Sequence, residues 1–490
     1  MILAFRSSGP CFLDRPSCAP FWRVALSQSV FGSRGTGLSE HRVLSVGMAL
    51  AAFVVGSAML GSSASALDPG TAVRAATHPG SVSAGKKKPP KGSPSSPDFV
   101  QVALNSSAAV ALTRGGKVYA WGEERRVNRG QFMPSLCIGK AKVSKRSEYV
   151  PFPTGGRDEF DYRTRTSPAR VVTVKGVRFT QVAAGGGFLL ALSSDGAVYA
   201  WGMGPMGVSG RGKENVVACP TRVTLPAGVK ITQISAGSGV VALSTAGEVY
   251  EWGELFVDLY QPSVTRRVPV RVDLPEGVRF TSVWASQSGL PLFGRTAEGA
   301  LYWWVQNPYG EPGLGPKYDE TLHRYYASPS LLPQPEGVVF AHALPGLALG
   351  VDGAVYAWGR NDHGQLGNGQ TDDFYDWSDT AQVVALPGGA PAVGIDSSGG
   401  NFAVTGSGLV YGWGYNGSGS LGVNSRAENV VTPTSVALPA DVKVTQLATG
   451  GNNAVLAVTT DGRIYGWGYN QVGILGKRLQ ARYPKPRLIG

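Results

Sequence analysis

Gly196-Ala197-Val198-Tyr199-Ala200-Trp201 is one of seven copies of the pattern Gly-x-Val/Leu/Ile-Tyr-x-Trp; the others begin at Gly116, Gly247, Gly299, Gly353, Gly408 and Gly462. The closing residues are Trp121, Trp201, Trp252, Trp304, Trp358, Trp413 and Trp467, spaced 80, 51, 52, 54, 55 and 54 residues apart. A period of this length signals a repeat architecture, in which each unit buries its faces only against its neighbours. Within the quoted unit, Val198 and Ala200 face one way and Tyr199 and Trp201 the other, because side chains alternate along a strand. Both sets are apolar or aromatic, so the sheet must be covered on both sides.

Working outward, Phe179, Gln181 and Val182 read as a first short strand ended by Gly185–Gly187, and Phe188–Leu192 as a second, apolar one. Asp195-Gly196 reads as a type I′ hairpin turn, which needs positive φ at both central residues. A fourth strand follows a longer loop and is marked by Pro220–Pro226, with the same exit at Val270–Pro275 and Ser435–Pro439. Four antiparallel strands per unit, repeated seven times, predict an all-β chain folded as a seven-bladed β-propeller. The first unit starts at Phe99 in phase with Phe179, and the last stops at Ile489 in phase with a fourth strand. Whole units without polar caps favour a closed ring over an open solenoid.

The propeller is expected over 99–490. Before it, Val43–Leu60 is a continuous apolar run behind His41 and Arg42, followed by small residues at Ser62–Ala66. This is the tripartite form of a secretory signal, with cleavage expected before Leu67. An uncleaved anchor at the cell surface is the alternative. The stretch ahead of the run reads as a start assigned too far upstream. Residues 67–98, rich in Ser, Pro and Lys, read as a disordered linker. The net charge of +12 concentrates partly in these leading segments and leaves a mild excess on the propeller, which is not an obvious nucleic-acid surface. Of four cysteines, only Cys137 and Cys219 lie in the exported part; their pairing depends on a Cα approach that sequence separation does not reveal.

Asp352–Trp358 continues as Gly359-Arg360-Asn361-Asp362-His363-Gly364-Gln365-Leu366-Gly367, which resembles the signature of the regulator of chromosome condensation repeat. Partial copies run from Trp413 to Gly422 and from Trp467 to Gly476. The chain departs from that pattern where Phe188, Gly400 and Ala454 replace a His before the second strand, and where Asp258 and Val305 stand in the degenerate third and fourth repeats. The resemblance implies a seven-bladed propeller and carries over no functional residue, since the motif Gly, Tyr and Trp serve turns and blade packing. It also implies two kinds of role. The founding eukaryotic member is a guanine-nucleotide exchange factor on chromatin, a role that export argues against. A secreted bacterial relative of the propeller class is an inhibitor of β-lactamases that binds through one face of the ring.

An enzyme is not expected. His41 and His78 lie outside the repeats, and His323, His342 and His363 show no metal-ligand spacing. Neither a nucleophile elbow nor a phosphate loop occurs, and Asp372–Asp379 lacks the glycine of a calcium loop. No cofactor or metal is expected. The expected role is a secreted, bacterial, monomeric interaction module that binds a protein or an envelope polymer through loops. The widest repeat spacing marks an insertion between Gln131 and Pro168, expected to be removable over 135–166 without loss of stability. Its Arg157, Phe160, Tyr162 and Arg163 are the first candidates for binding, because interfaces favour arginine and aromatic anchors. Arg324, Tyr325 and Tyr326 form a second group, with Asp372–Trp377 as a candidate addition to it.

Overall fold

The computed structural model describes residues 97–127, 131–132, 136–138, 162–203, 210, 216–255, 264–286, 291–304, 329–373, 377–450, 453–479 and 481–489. The apolar run 43–60 and all but the last two residues of the 67–98 linker lie outside them. The described residues form seven antiparallel sheets, each made of consecutive strands, with only a short 3-10 turn at Pro387–Gly389. Blade two consists of Phe179–Gly185, Phe188–Ser193, Val198–Met203 and Val216–Arg222. Blade one adds a two-residue strand, Gln131–Phe132, paired with the end of its long third strand Val118–Val127.

The two faces of the motif strand pack as its alternation demands. Tyr199 and Trp201 join Val110 and Leu112 of blade one, while Val198 and Ala200 join Ile231 and Val240 of blade three. Six of the seven motif tryptophans are at most 1% exposed. Blade seven closes on blade one through a core that unites Val102, Leu104 and Trp121 with Leu456, Leu475 and Ile489. There the Trp121 indole Nε1 donates to the Ile474 carbonyl at 2.8 Å.

The hairpin turn differs from expectation. In blade two, Ser193 N donates to Ala197 O at 2.9 Å and Gly196 N to Ser193 O at 3.0 Å, which makes a three-residue loop. Only Gly196 has positive φ (84°), so this is a turn followed by a left-handed glycine and not a type I′ pair. The Gly196 carbonyl then accepts from Ile231 N of the next blade at 3.0 Å. The same zip joins Gly462 to Phe99 at 3.0 Å and Gly408 to Val444 at 3.0 Å. The repeat glycine therefore serves both the turn and the blade junction.

Two boundaries are also corrected. The Leu-Pro exits lie at or beyond the ends of the fourth strands, which stop at Arg222, Arg271 and Ser435. In blade one the fourth strand is Tyr162–Arg170, with Tyr162 opposite Arg125 and Arg163 opposite Glu124. Tyr162 and Arg163 are thus strand residues, because a register shift at Ala120/Gly122 lets the ladder continue past the motif. At the other end of the insertion, Leu136 is fully buried against blade two's wall and Ile138 bridges Val171. Excising 135–166 would remove core and ladder; of the insertion, 139–161 lies outside the described residues.

Candidate functional surface and central channel

Connections between third and fourth strands all emerge at one end of the ring, because strands alternate in direction. In blades five to seven this connection is closed by a buried asparagine. The Asn416 amide donates to Ser425 O (3.3 Å) and Ala427 O (2.9 Å), while its Oδ1 accepts from Leu421 N (3.1 Å). Asn470 repeats this with Gly476 O, Arg478 O and Leu475 N, and Asn361 with Gln370 O, Asp372 and Leu366 N. Leu366, Leu421 and Leu475 plug the core beneath, and a Cβ on Gly422 would come within 2.7 Å of the next blade's Trp467. The Asn-x-x-Gly-x-Leu-Gly stretch is a structural device.

Blade one contains a disguised copy of it. Leu136 takes the leucine's place in the core, and Cys137 takes the final glycine's left-handed conformation, with φ of 47° against 66° at Gly367. Cys137 O accepts from Val172 N at 2.8 Å, and a disulfide joins Cys137 to Cys219 on blade two's fourth strand, with Cα atoms 4.9 Å apart. The insertion therefore leaves the ring from a covalently fastened base. Sequence reading missed this because a cysteine stands where glycine marks the motif; the Leu before it was the available signal.

The sequence between Trp252 and Val264 has no Asn-x-x-Gly-x-Leu-Gly copy, and in blade three Glu251 makes the contact to the next blade's tryptophan. This buried carboxylate accepts from the Trp304 indole of blade four at 3.3 Å and pairs with Arg266. Burial raises its pKa, against the Arg266 charge and the hydrogen bonds that lower it. On the same end of the ring, His363 Nδ1 lies 3.0 Å from Asn429 Oδ1 and its ring packs on Tyr415 at 5.0 Å. Asp362 accepts from Gln365 Nε2 at 2.9 Å and from Arg360 at 2.7 Å. Among the described residues no group of three His, Cys, Asp or Glu is placed to hold a metal ion.

Of the residues singled out by sequence, Arg157, Phe160, Arg324, Tyr325, Tyr326 and His323 lie outside the described residues. Asp372 and Asp373 are exposed beside blade five's Asn361 loop, and Trp377 opens the strand Trp377–Val384. His342, which shows no metal-ligand spacing in the sequence, lies in the central channel. The channel is walled by the first strands of all seven blades around a cavity of about 170 Å³. Along it, a glutamine reaches across each of four junctions to the next blade's backbone. Gln101 accepts from Val182 N at 2.9 Å, Gln233 from Val283 N at 3.0 Å, and Gln181 and Gln446 both donate to and accept from Ile234 and Val102. Blades four to six carry Ser282, His342 and Gly394 at that register position, so the glutamine series stops there.

His342 and Asp396 are the only titratable groups among the channel's lining residues. Burial pushes the His342 imidazole down to about 4 and the Asp396 carboxyl up to about 6, the latter against donors from Thr449 and Ser397. As pH falls below 6.5 the unfolded chain protonates its histidine first, so His342 destabilises the fold until about pH 4. Asp396 acts oppositely, since the folded carboxyl takes its proton near pH 6 and the unfolded one only near 3.8. Each effect is on the order of 3 kcal/mol, so the two nearly cancel. Relative to the native chain, Asp396→Asn should therefore lose melting temperature steeply from pH 7 to 4, and His342→Gln should gain it. Parallel pH profiles for all three proteins would disprove this account.

Comparison with known proteins fits this geometry. The family model described as RCC1-like domain matches residues 87–456, and that for the regulator of chromosome condensation (RCC1) repeat matches 444–474. The chain is 29% identical to the ultraviolet-B receptor UVR8 of Arabidopsis thaliana, over 66% of this chain and 73% of the receptor. It is 30% identical to the human E3 ubiquitin-protein ligase HERC2 over 76% of this chain but 7% of the ligase. Among solved structures, Prp20p from Saccharomyces cerevisiae is similar with a TM-score of 0.59 at 19% identity, covering 76% of this chain and 86% of that one. Human WBSCR16 is similar with a TM-score of 0.58 at 21% identity, covering 77% and 94%. By a match spanning most of its repeats, on a ring whose blades share the repeat glycine and tryptophan, this chain belongs to the RCC1-like domain family.

Proposed function

We infer that this propeller is an exported protein-interaction module that takes its partner on the face bearing the third-to-fourth-strand connections, with the blade-one insertion as the main contact. The observation that carries the reading is the insertion's base. Leu136–Ile138 and Tyr162–Arg170 pin it to the ring, and the Cys137–Cys219 disulfide fastens it to blade two. A rigid platform presenting an Arg- and aromatic-rich segment suits recognition, because less order must be gained on binding. The disulfide and the signal-like run 43–66 together support an oxidising, extracytoplasmic compartment. A similar protein supports a protein as partner, since Prp20p has binding properties to Gsp1p and histones. An envelope polymer is the competing partner.

The test uses the full chain and a version lacking 139–161 that keeps both cysteines. The full chain should appear in the medium or envelope with Leu67 as its first residue, and it should retain one protein from that fraction. The shortened chain should melt within a few degrees of it, as surface loops add little closure entropy, and should lose the retention. An intact chain starting at Met1 in the cytosol would overturn export. Undiminished retention by the shortened chain would overturn the blade-one assignment and direct attention to Arg324–Tyr326.

A further inference from the structure

We propose that the central channel is a binding site for a small organic cation: a primary ammonium carried on an apolar group about the size of benzene. The space comes from the interrupted glutamine series. At blade six the register position is Gly394, so no side chain fills the channel where Gln101, Gln181, Gln233 and Gln446 reach across elsewhere. The channel's cavity, about 170 Å³ and lined by residues of all seven blades, Gly394 among them, exceeds the roughly 150 Å³ that admits benzene. Its apolar lining is Val182, Leu344, Val393 and the neighbouring alanines.

Two polar groups lining this space have capacity left. His342 packs on Trp284 with ring centroids 4.4 Å apart and planes tilted by 33°, and its buried Nδ1 has no hydrogen-bond partner. The Asp396 carboxylate accepts two bonds at Oδ1, from Thr449 Oγ1 and Ser397 N (both 2.8 Å), but one at Oδ2, from Thr449 N at 3.2 Å. No Lys or Arg lines the channel, so nothing there offsets the carboxylate's charge. An ammonium donates to Asp396 Oδ2 and supplies the missing positive charge, and the unpartnered His342 nitrogen is a further acceptor on the channel wall. An anion meets the same carboxylate unfavourably, and a metal ion finds two side-chain ligands where a stable site needs three or more.

Calorimetry on the full chain with benzylamine, benzyl alcohol and benzoate tests the assignment. Benzylamine should bind saturably at pH 7.5, with benzyl alcohol at least tenfold weaker and benzoate weaker still. Near pH 6 benzylamine binding should release protons, seen as a dependence of the heat on buffer ionisation, because the ligand favours the ionised carboxylate. Asp396→Asn should weaken benzylamine at least tenfold. Gly394→Gln, which installs the side chain four other blades carry, should abolish binding and keeps the test decisive if the Asn variant does not fold. Absence of saturable binding at millimolar benzylamine would overturn the proposal. So would equal affinity for benzyl alcohol, or unchanged affinity in Gly394→Gln.

Discussion

A chain ended at Gly462, lacking Arg463–Gly490, is expected to lose cooperative folding altogether. The deletion removes the third and fourth strands of blade seven, with Trp467, Leu475 and Ile489. On one side it uncovers Val102, Leu104 and Trp121 of blade one, and it deprives the Trp121 indole of the Ile474 carbonyl. On the other side it uncovers Phe402 and Val404 of blade six, which pack on Trp467. Two aromatic blade walls facing water form patches larger than a monomeric protein sustains. Thermal unfolding should broaden or vanish, and a dye that binds apolar surface should report exposure at room temperature. A truncated chain that melts as sharply and as high as the full one would rule out the closed ring.

The second large effect comes from a single methyl group. Gly176 and Gly462 both have left-handed backbones, at φ of 84° and 79°. A Cβ at Gly176 meets nothing within 4 Å, whereas one at Gly462 would come within 2.9 Å of the Asp98 Cα and 3.1 Å of Phe99 N. Gly176→Ala should therefore cost only the conformational penalty, roughly 1–2 kcal/mol. Gly462→Ala adds a backbone clash at the junction where its carbonyl accepts from Phe99 N, worth about 1–3 kcal/mol more. Equal shifts in the denaturant midpoint would show that the glycine serves the turn alone.

How much of this was legible depends on what each residue encodes locally. Gly-x-Val-Tyr-x-Trp states a turn, a strand and two buried faces within six residues, so blade count and strand order were readable. The turn type was not, because Asp195 tolerates both a type I′ turn and the three-residue loop, and the next blade's Ile231 selects between them. The insertion's edges were misplaced for a similar reason. Tyr162 and Arg163 look like loop residues, and only their pairing with Arg125 and Glu124 makes them strand. Cys137 hid a repeat element by occupying a glycine conformation. The channel was invisible, since Gln101 or Gln446 reads as an ordinary polar residue until the ring sets it against the neighbouring backbone. The foremost candidates Arg157 and Phe160 remain a matter for the excision experiment.

Every sheet of this ring is completed by strands adjacent in sequence. The backbone therefore crosses six of the seven junctions between blades, and the disulfide adds a second covalent tie between blades one and two. Between blades seven and one there is only contact: Gln446 with Val102, Gly462 with Phe99, Trp121 with Ile474. The propeller ring is a washer cut at one radius. Sub-global opening of a folded protein follows its least restrained division, and here the terminal blades can part without any strand leaving its sheet. Amide exchange at Phe99 and Val102 should then report a gaping motion distinct from global unfolding. A ligand or partner that spans the cut would act as a clasp, tightening the whole ring without touching its other junctions.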